Sequence, residues 1–96
     1  MPDNDEHDKA GGSEGLGVID LHRFRPRDVK DVVLDYLELC RENGVYEVRI
    51  IHGKGIGQLR NTVRSILSKH PDVIYFALAT EHYGGGGATI AHLKPK

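Results

Sequence analysis

The 96-residue chain has one cysteine, no tryptophan and no long apolar run. The single cysteine, Cys40, excludes a disulfide framework and a zinc site of the CxxC type. No apolar segment approaches the ~18 residues that a membrane span needs, and the acids from Asp3 to Asp8 do not fit a signal peptide. Aromatic residues make up only 6% of the chain, few for a surface that binds a protein through aromatic anchors. These absences predict one small cytoplasmic domain with no membrane partner.

Charge is unevenly distributed along the chain, although the formal net charge is only -1. Residues 1–15 carry five acids and one base, a net -4, whereas residues 16–96 carry a net +3. The first segment also has too few apolar side chains to offset the entropy lost on ordering. We therefore predict a disordered acidic leader over 1–15 and a folded, mildly basic domain over 16–96. A mildly basic domain permits an anionic partner without requiring one.

Hydrophobic periodicity predicts the element order β-α-β-α-β-β. The predicted strands are 17–24, 45–52, 73–80 and 88–93, and the two predicted helices lie between Pro26 and Asn43 and between Gly57 and His70. The third strand is the most apolar run, which is typical of a central, well-covered strand. This order predicts an α/β two-layer sandwich with both helices on one face of a mixed four-stranded sheet.

The segment HGKGIG, residues 52–57, lies between the second predicted strand and the second helix. Its glycines allow the backbone to approach a ligand closely, and the helix N-terminus together with Lys54 favours an oxyanion such as phosphate. The spacing fits neither a P-loop nor a dinucleotide fingerprint, which disfavours nucleotide binding. From these residues alone, an anion site and a turn that needs glycine only for its geometry both remain open.

Asp20 and His22 lie two residues apart in the first predicted strand, which would place both on the sheet face without helices. A neighbouring carboxylate orients an imidazole for proton transfer; the pair could also hold a divalent metal, or be a polar pair at a strand end. A right-handed crossover would make the first two strands neighbours, so that His22 meets His52 at their carboxyl ends. Arg23 and Arg60 add positive charge around the same place, as expected of a phosphate site.

Three segments together resemble the signatures of the Smr (small MutS-related) domain family: IDLH at 19–22, HGKGIG at 52–57 with Leu59-Arg60 after it, and GGGGATIAHL at 84–93. The resemblance covers residues 16–96. It implies an α/β sandwich similar to the C-terminal domain of translation initiation factor three, nucleic-acid binding and, in several members, cleavage of RNA or nicking of DNA. Some members act at ribosomes.

By position, Asp20 and His22 correspond to the family's Asp-x-His pair, which is linked to cleavage, and His52, Gly53 and Gly55 to its His-Gly-x-Gly loop. The family usually has glycine where Arg23 stands here.

The resemblance and the residues together predict an endonuclease that acts on RNA or DNA, with Asp20, His22 and His52 as catalytic residues. The expected phosphate-binding residues are Gly53, Lys54, Gly55, Gly57, Arg60, Arg23, Gly85, Gly87 and Thr89. RNA could be cut by its own 2′-hydroxyl without a metal, whereas DNA needs an activated water and makes Mg²⁺ or Mn²⁺ on Asp20 more plausible. The alternative is a module that binds nucleic acid or the ribosome without cutting. A monomer is expected for either function.

Overall fold

A computed structural model describes residues 15–55, 57–79 and 86–96. Nearly all of the predicted acidic leader, and Gly85 of the predicted phosphate-binding set, lie outside the described residues. Within these three ranges no helix is both long enough and apolar enough to cross a membrane.

The described residues form a mixed four-stranded sheet with two α-helices. Its elements in chain order are β1 (Val18–Asp20), α1 (Val29–Glu42), β2 (Glu47–Ile51), α2 (Gln58–Ser68), β3 (Val73–Leu78) and β4 (Ala88–Leu93). Two 3₁₀ turns, Leu21–Arg23 and Pro26–Asp28, lie between β1 and α1. The sheet order is β1-β2-β4-β3, with β1 and β2 parallel and the other two pairs antiparallel. The predicted α/β architecture is therefore confirmed.

The core lies between the helices and one face of this sheet. Alternate residues of β2, Val48 and Ile50, are fully buried, as are Ala91 and Leu93 of β4. The helices contribute Val29, Val33, Leu37 and Cys40 from α1 and Val63, Ile66 and Leu67 from α2. Burying an aliphatic side chain of this size contributes roughly 1.5–3 kcal/mol. Both helices are thereby held on one face, and the carboxyl ends of β1 and β2 meet at one edge of the sandwich.

The first strand is shorter than its sequence pattern predicts, and His22 does not lie on it. β1 ends at Asp20 because its carboxylate accepts a hydrogen bond from the His22 backbone N–H (2.9 Å) and so begins the first 3₁₀ turn. Leu21 in that turn is buried in the core. The prediction that Asp20 and His22 share a sheet face was wrong, because the chain leaves the strand between them.

The most apolar segment, β3, is an edge strand and not the central one that its composition indicates. β4 lies between β2 and β3, and Ile74 and Tyr75 of β3 are 59% and 56% exposed. Ile, Tyr and Phe favour any extended strand, so an apolar run predicts the strand better than its position in the sheet. The central position of β4 matters for the site, because it brings Gly87 and Thr89 next to His52.

Candidate functional site

Asp20 and His22 form a hydrogen-bonded pair at the carboxyl end of β1. The Asp20 Oδ1 atom lies 2.7 Å from His22 Nδ1 and 2.9 Å from the His22 backbone nitrogen. The pKa of Asp20 is lowered, mainly by that backbone N–H, then by the His22 side chain, and to a smaller extent by the charge of Arg23. An ionised carboxylate only accepts hydrogen bonds, so Nδ1 carries the proton. In the neutral imidazole, the lone pair is then on Nε2.

That Nε2 atom faces Gly53 at the end of β2. β1 and β2 are parallel neighbours, which confirms the prediction that His22 and the His52 loop meet at one sheet edge. Gly53 has φ +84°, and a Cβ built on it would lie 2.6 Å from His22 Nε2. Only glycine has both the backbone freedom and the absence of a side chain that this approach requires.

His52 lies beneath the loop with only 4% of its surface exposed. Its Nδ1 donates to the Gly53 carbonyl and its Nε2 lies 2.9 Å from the Thr89 hydroxyl. The Gly87 carbonyl accepts from the backbone N–H groups of both His52 and Gly53. The imidazole and β4 therefore hold the loop in place from inside the protein.

Two residues of the predicted set are placed differently from the expectation. Thr89, predicted to bind phosphate, is 1% exposed and its hydroxyl is bonded to His52. It lies on the helix-facing side of a central strand, opposite the buried Ile50, where its hydroxyl supports the loop. Gly87 contacts the loop through its carbonyl, which presents an acceptor and not a donor for phosphate.

A cleft of about 390 Å³ opens between His22 and the first turn of α2. Its lining includes Phe24, Gly53, Gly55, Gly57 and Arg60. Gly57 is the N-cap of α2, with φ +87°, and the first backbone N–H groups of a helix have no partner within the helix and favour an anion. Arg60 packs against Gly57, and the exposed Lys54 and Arg23 follow Gly53 and His22 directly in the chain. Glycine backbone, a helix N-terminus and Arg60, together called the cradle below, are of the kind that can hold an anion beside an oriented imidazole.

Few side chains at the cleft are suited to bind a divalent cation. Asp20 and His22 offer one carboxylate and one imidazole, and no cluster of three or more His, Cys, Asp or Glu exists among the residues that the structure describes. Mg²⁺ typically retains several waters and binds through one or two carboxylates plus substrate phosphates. Asp20 could serve as such a ligand together with a bound phosphate.

Replacing Thr89 by valine is expected to lower the free energy of unfolding by about 1–3 kcal/mol, because the buried Nε2 of His52 then loses its hydrogen-bond partner. Urea unfolding followed by circular dichroism measures the change. The matched control is Thr62→Val, whose hydroxyl bonds only to a carbonyl of its own helix and which we expect to cost less than about 1 kcal/mol. Equal losses in the two variants would contradict a supporting role for Thr89.

The profile of the Smr domain matches residues 19–94. The chain belongs to the Smr family. Among its relatives, a protein named endonuclease MutS2 from Solidesulfovibrio magneticus is 38% identical over 86 residues, which are 88% of this chain. Another endonuclease MutS2, from Gemmatimonas aurantiaca, is 41% identical over 80 residues, or 83% of the chain. The chain spans only 11% and 10% of the length of these two proteins.

Two solved Smr structures resemble the fold. The Smr domain of Thermus thermophilus MutS2 is 35% identical, with a TM-score of 0.69 over 83% of this chain and all of that one. YdaL, a stand-alone small MutS-related protein from Escherichia coli, is 30% identical, with a TM-score of 0.68 over 81% of this chain and 64% of its own. The α/β fold described above is thus shared with these two solved Smr structures.

Two features of this Smr domain were not predicted from its sequence. Phe24 is 39% exposed and forms an apolar wall of the cleft. The sequence pattern predicts strand over all of 17–24 and so does not indicate this role. The hydroxyl of Tyr36 on α1 accepts hydrogen bonds from the N–H groups of Gly17 and Val18 and donates one to the Val18 carbonyl. That hydroxyl fixes the start of β1 and therefore the position of Asp20. In the sequence, the one sign of this role is a tyrosine among the apolar residues of α1.

Proposed function

We propose that this Smr domain binds nucleic acid and cleaves it as a phosphodiesterase. The observation that carries the proposal is the Asp20–His22 pair, with Nε2 of the imidazole turned into a cleft beside a glycine loop and a helix N-terminus. The endonuclease names of the relatives support the same reaction class.

The cradle binds the phosphate that is attacked. Backbone N–H groups at the start of α2, the Lys54 ammonium and the Arg60 guanidinium supply positive potential to a phosphate at Gly55–Gly57. Charge that develops on the phosphate oxygens in the transition state is stabilised by these fixed donors without reorganisation. Phe24 provides an apolar surface against which a base or sugar of the same nucleotide packs.

His22 acts as the general base. Its Nε2 removes the proton from the 2′-hydroxyl of an RNA nucleotide, whose oxygen attacks the adjacent phosphorus. The bond from phosphorus to the 5′ oxygen breaks, and that oxygen takes a proton from water, leaving a 2′,3′-cyclic phosphate and a 5′-hydroxyl end. Asp20 holds the imidazole in the required tautomer and stabilises its charged form.

His52 acts as a positioning residue in this proposal. Its two ring nitrogens are bonded to Gly53 and Thr89, so it fixes the loop and does not reach the substrate. With DNA, which lacks the 2′-hydroxyl, a water replaces the nucleophile, and Mg²⁺ or Mn²⁺ at Asp20 would supply its activation.

A binding module without catalysis is the second candidate. The observation that favours it is that His52, the second imidazole lining the cleft, is 4% exposed and has both ring nitrogens hydrogen-bonded to Gly53 and Thr89, so it does not serve as a second proton-transfer group. Such a module would bind folded RNA, free or in the ribosome, through the same basic cleft.

The test is a cleavage assay on end-labelled structured RNA and supercoiled plasmid, each with EDTA, Mg²⁺ or Mn²⁺. We expect RNA to be cut in EDTA, to leave cyclic phosphate ends, and to be cut about 10²–10⁴-fold more slowly by His22→Ala. Cutting that persists unchanged in His22→Ala would contradict the proposed chemistry. No cutting by the wild type, with salt-sensitive binding retained, would establish the binding module instead.

A further inference from the structure

A second cleft adjoins the first at Arg60 and also measures about 390 Å³. It lies between the first half of α2 and the edge strand β3. Its lining residues are Arg60, Arg64, Phe76, Ala77, Leu78 and Thr89. None of these described lining residues is acidic, so the cleft combines two permanent positive charges with an apolar wall.

The two arginines are placed to act on one ligand. Arg60 and Arg64 are four residues apart on α2, a spacing that puts two side chains on the same face of a helix. A guanidinium recognises phosphate through paired N–H donors, which a lysine ammonium does not provide.

Arg60 also has an unmet hydrogen-bonding need. Its Nε atom is buried and has no hydrogen-bond partner in the part of the chain that the structure describes. A buried donor without an acceptor is destabilising, and such groups call for a specific explanation. This Nε is closed off from solvent, so a phosphate in the cleft would be bound by the terminal N–H groups of the same guanidinium.

We infer that Arg60 and Arg64 form a second phosphate subsite, next to the cradle that binds the attacked phosphate. The inference rests on the proposed function and deepens it, because it adds a second contact, at Arg64, with the same nucleic-acid strand. A site that holds two successive positions of one backbone requires a polynucleotide strand, not a mononucleotide. The strand passes from the His22 cleft over Arg60 to Arg64, where Phe76 and Leu78 lie against its sugar or base.

The experiment measures how the affinity for a labelled single-stranded RNA oligomer depends on salt, using the full chain. Each phosphate contact contributes about 0.7 to the slope of log affinity against log salt for single strands. Arg64→Gln removes the charge and keeps a shorter, uncharged polar side chain. We expect it to reduce the slope by about 0.7 and to weaken binding at low salt about tenfold.

The matched control is Lys69→Gln, which removes one positive charge at the far end of the same helix. We expect its slope to equal that of the wild type, and thermal melting to be unchanged in both variants, because both side chains are exposed. Uridine 3′-monophosphate, which carries one phosphate, should bind equally well to the wild type and Arg64→Gln.

A slope for Arg64→Gln equal to that of the wild type would overturn the second subsite. RNA cleavage measured on the same samples separates this failure from that of the proposed function. Unchanged slope with cleavage intact rejects the subsite alone, whereas a wild type that neither binds nor cuts RNA rejects both.

Discussion

Replacing Gly53 by alanine is expected to lower the rate of RNA cleavage by about a hundredfold or more, since misplacing a catalytic group by about 1 Å can cost that much. The added Cβ would lie 2.6 Å from Nε2 of His22, so the imidazole must move away from the cradle. The displaced atom is the reacting one, because Nε2 takes the proton in the proposed mechanism. Single-turnover cleavage of end-labelled RNA measures the effect.

Gly44→Ala provides a matched control for backbone strain. Gly44, after α1, has φ +78°, close to the +84° of Gly53, but a Cβ there would meet no atom within 4 Å. Both variants should lose stability by about 1–2 kcal/mol, the cost of a left-handed conformation in a residue with a side chain. Only Gly53→Ala should also lose cleavage at a temperature where both remain folded. Similar cleavage by the two variants would contradict the contact between Gly53 and His22.

The meeting of His22 with the glycine loop was predictable because it follows from topology. Two strands joined by one helix commonly run parallel and lie next to each other, as β1 and β2 do, and residues that follow parallel neighbouring strands meet at one edge. The sequence pattern did not predict that His22 leaves the strand. Polar residues at alternate positions, such as Asp20 and His22, fit a strand. An Asp carboxylate can also accept from the N–H two residues later, which favours a tight turn. The burial of Leu21 in the structure is what decides for the turn.

The roles of His52 and Thr89 depend on the position of β4, which the sequence does not reveal. A sequence motif does not distinguish residues that contact a substrate from residues that support those contacts. With β4 as the central strand, the Thr89 hydroxyl lies beneath the loop and bonds to His52. An apolar run is typical of a central strand, so the sequence predicts β3 in that place and does not predict the bond between Thr89 and His52.

Replacing Asp20 by asparagine is expected to lower the cleavage rate by about a hundredfold, the lower end of what general acid–base catalysis contributes, and to leave RNA affinity unchanged or tighter. The asparagine carbonyl still accepts a hydrogen bond from the His22 backbone, so the turn is kept. The negative charge that stabilises the protonated imidazole is lost. Rates under saturating RNA, with affinity measured separately, distinguish the two effects.

Asp35→Asn is the control for net charge, since Asp35 is exposed on α1 away from the cleft-lining residues. We expect it to cleave RNA at the wild-type rate. If both substitutions tighten binding equally, the gain comes from overall charge and not from the site. Full cleavage activity in Asp20→Asn would contradict the role of the carboxylate and leave His22 to act without it.

The same substitution has a predictable dependence on pH. The pKa of Asp20 lies below its ordinary value of 3.8, first because of the hydrogen bond from the His22 backbone. Folding therefore favours the ionised carboxylate: its stabilisation is fully present above the ordinary value and is lost as pH falls through the lower folded-state value. The difference in melting temperature between wild type and Asp20→Asn should therefore shrink as pH falls below about 4. A difference that stays constant or grows between about pH 4 and pH 2 would show that the lowered pKa does not reflect the contact between Asp20 and His22.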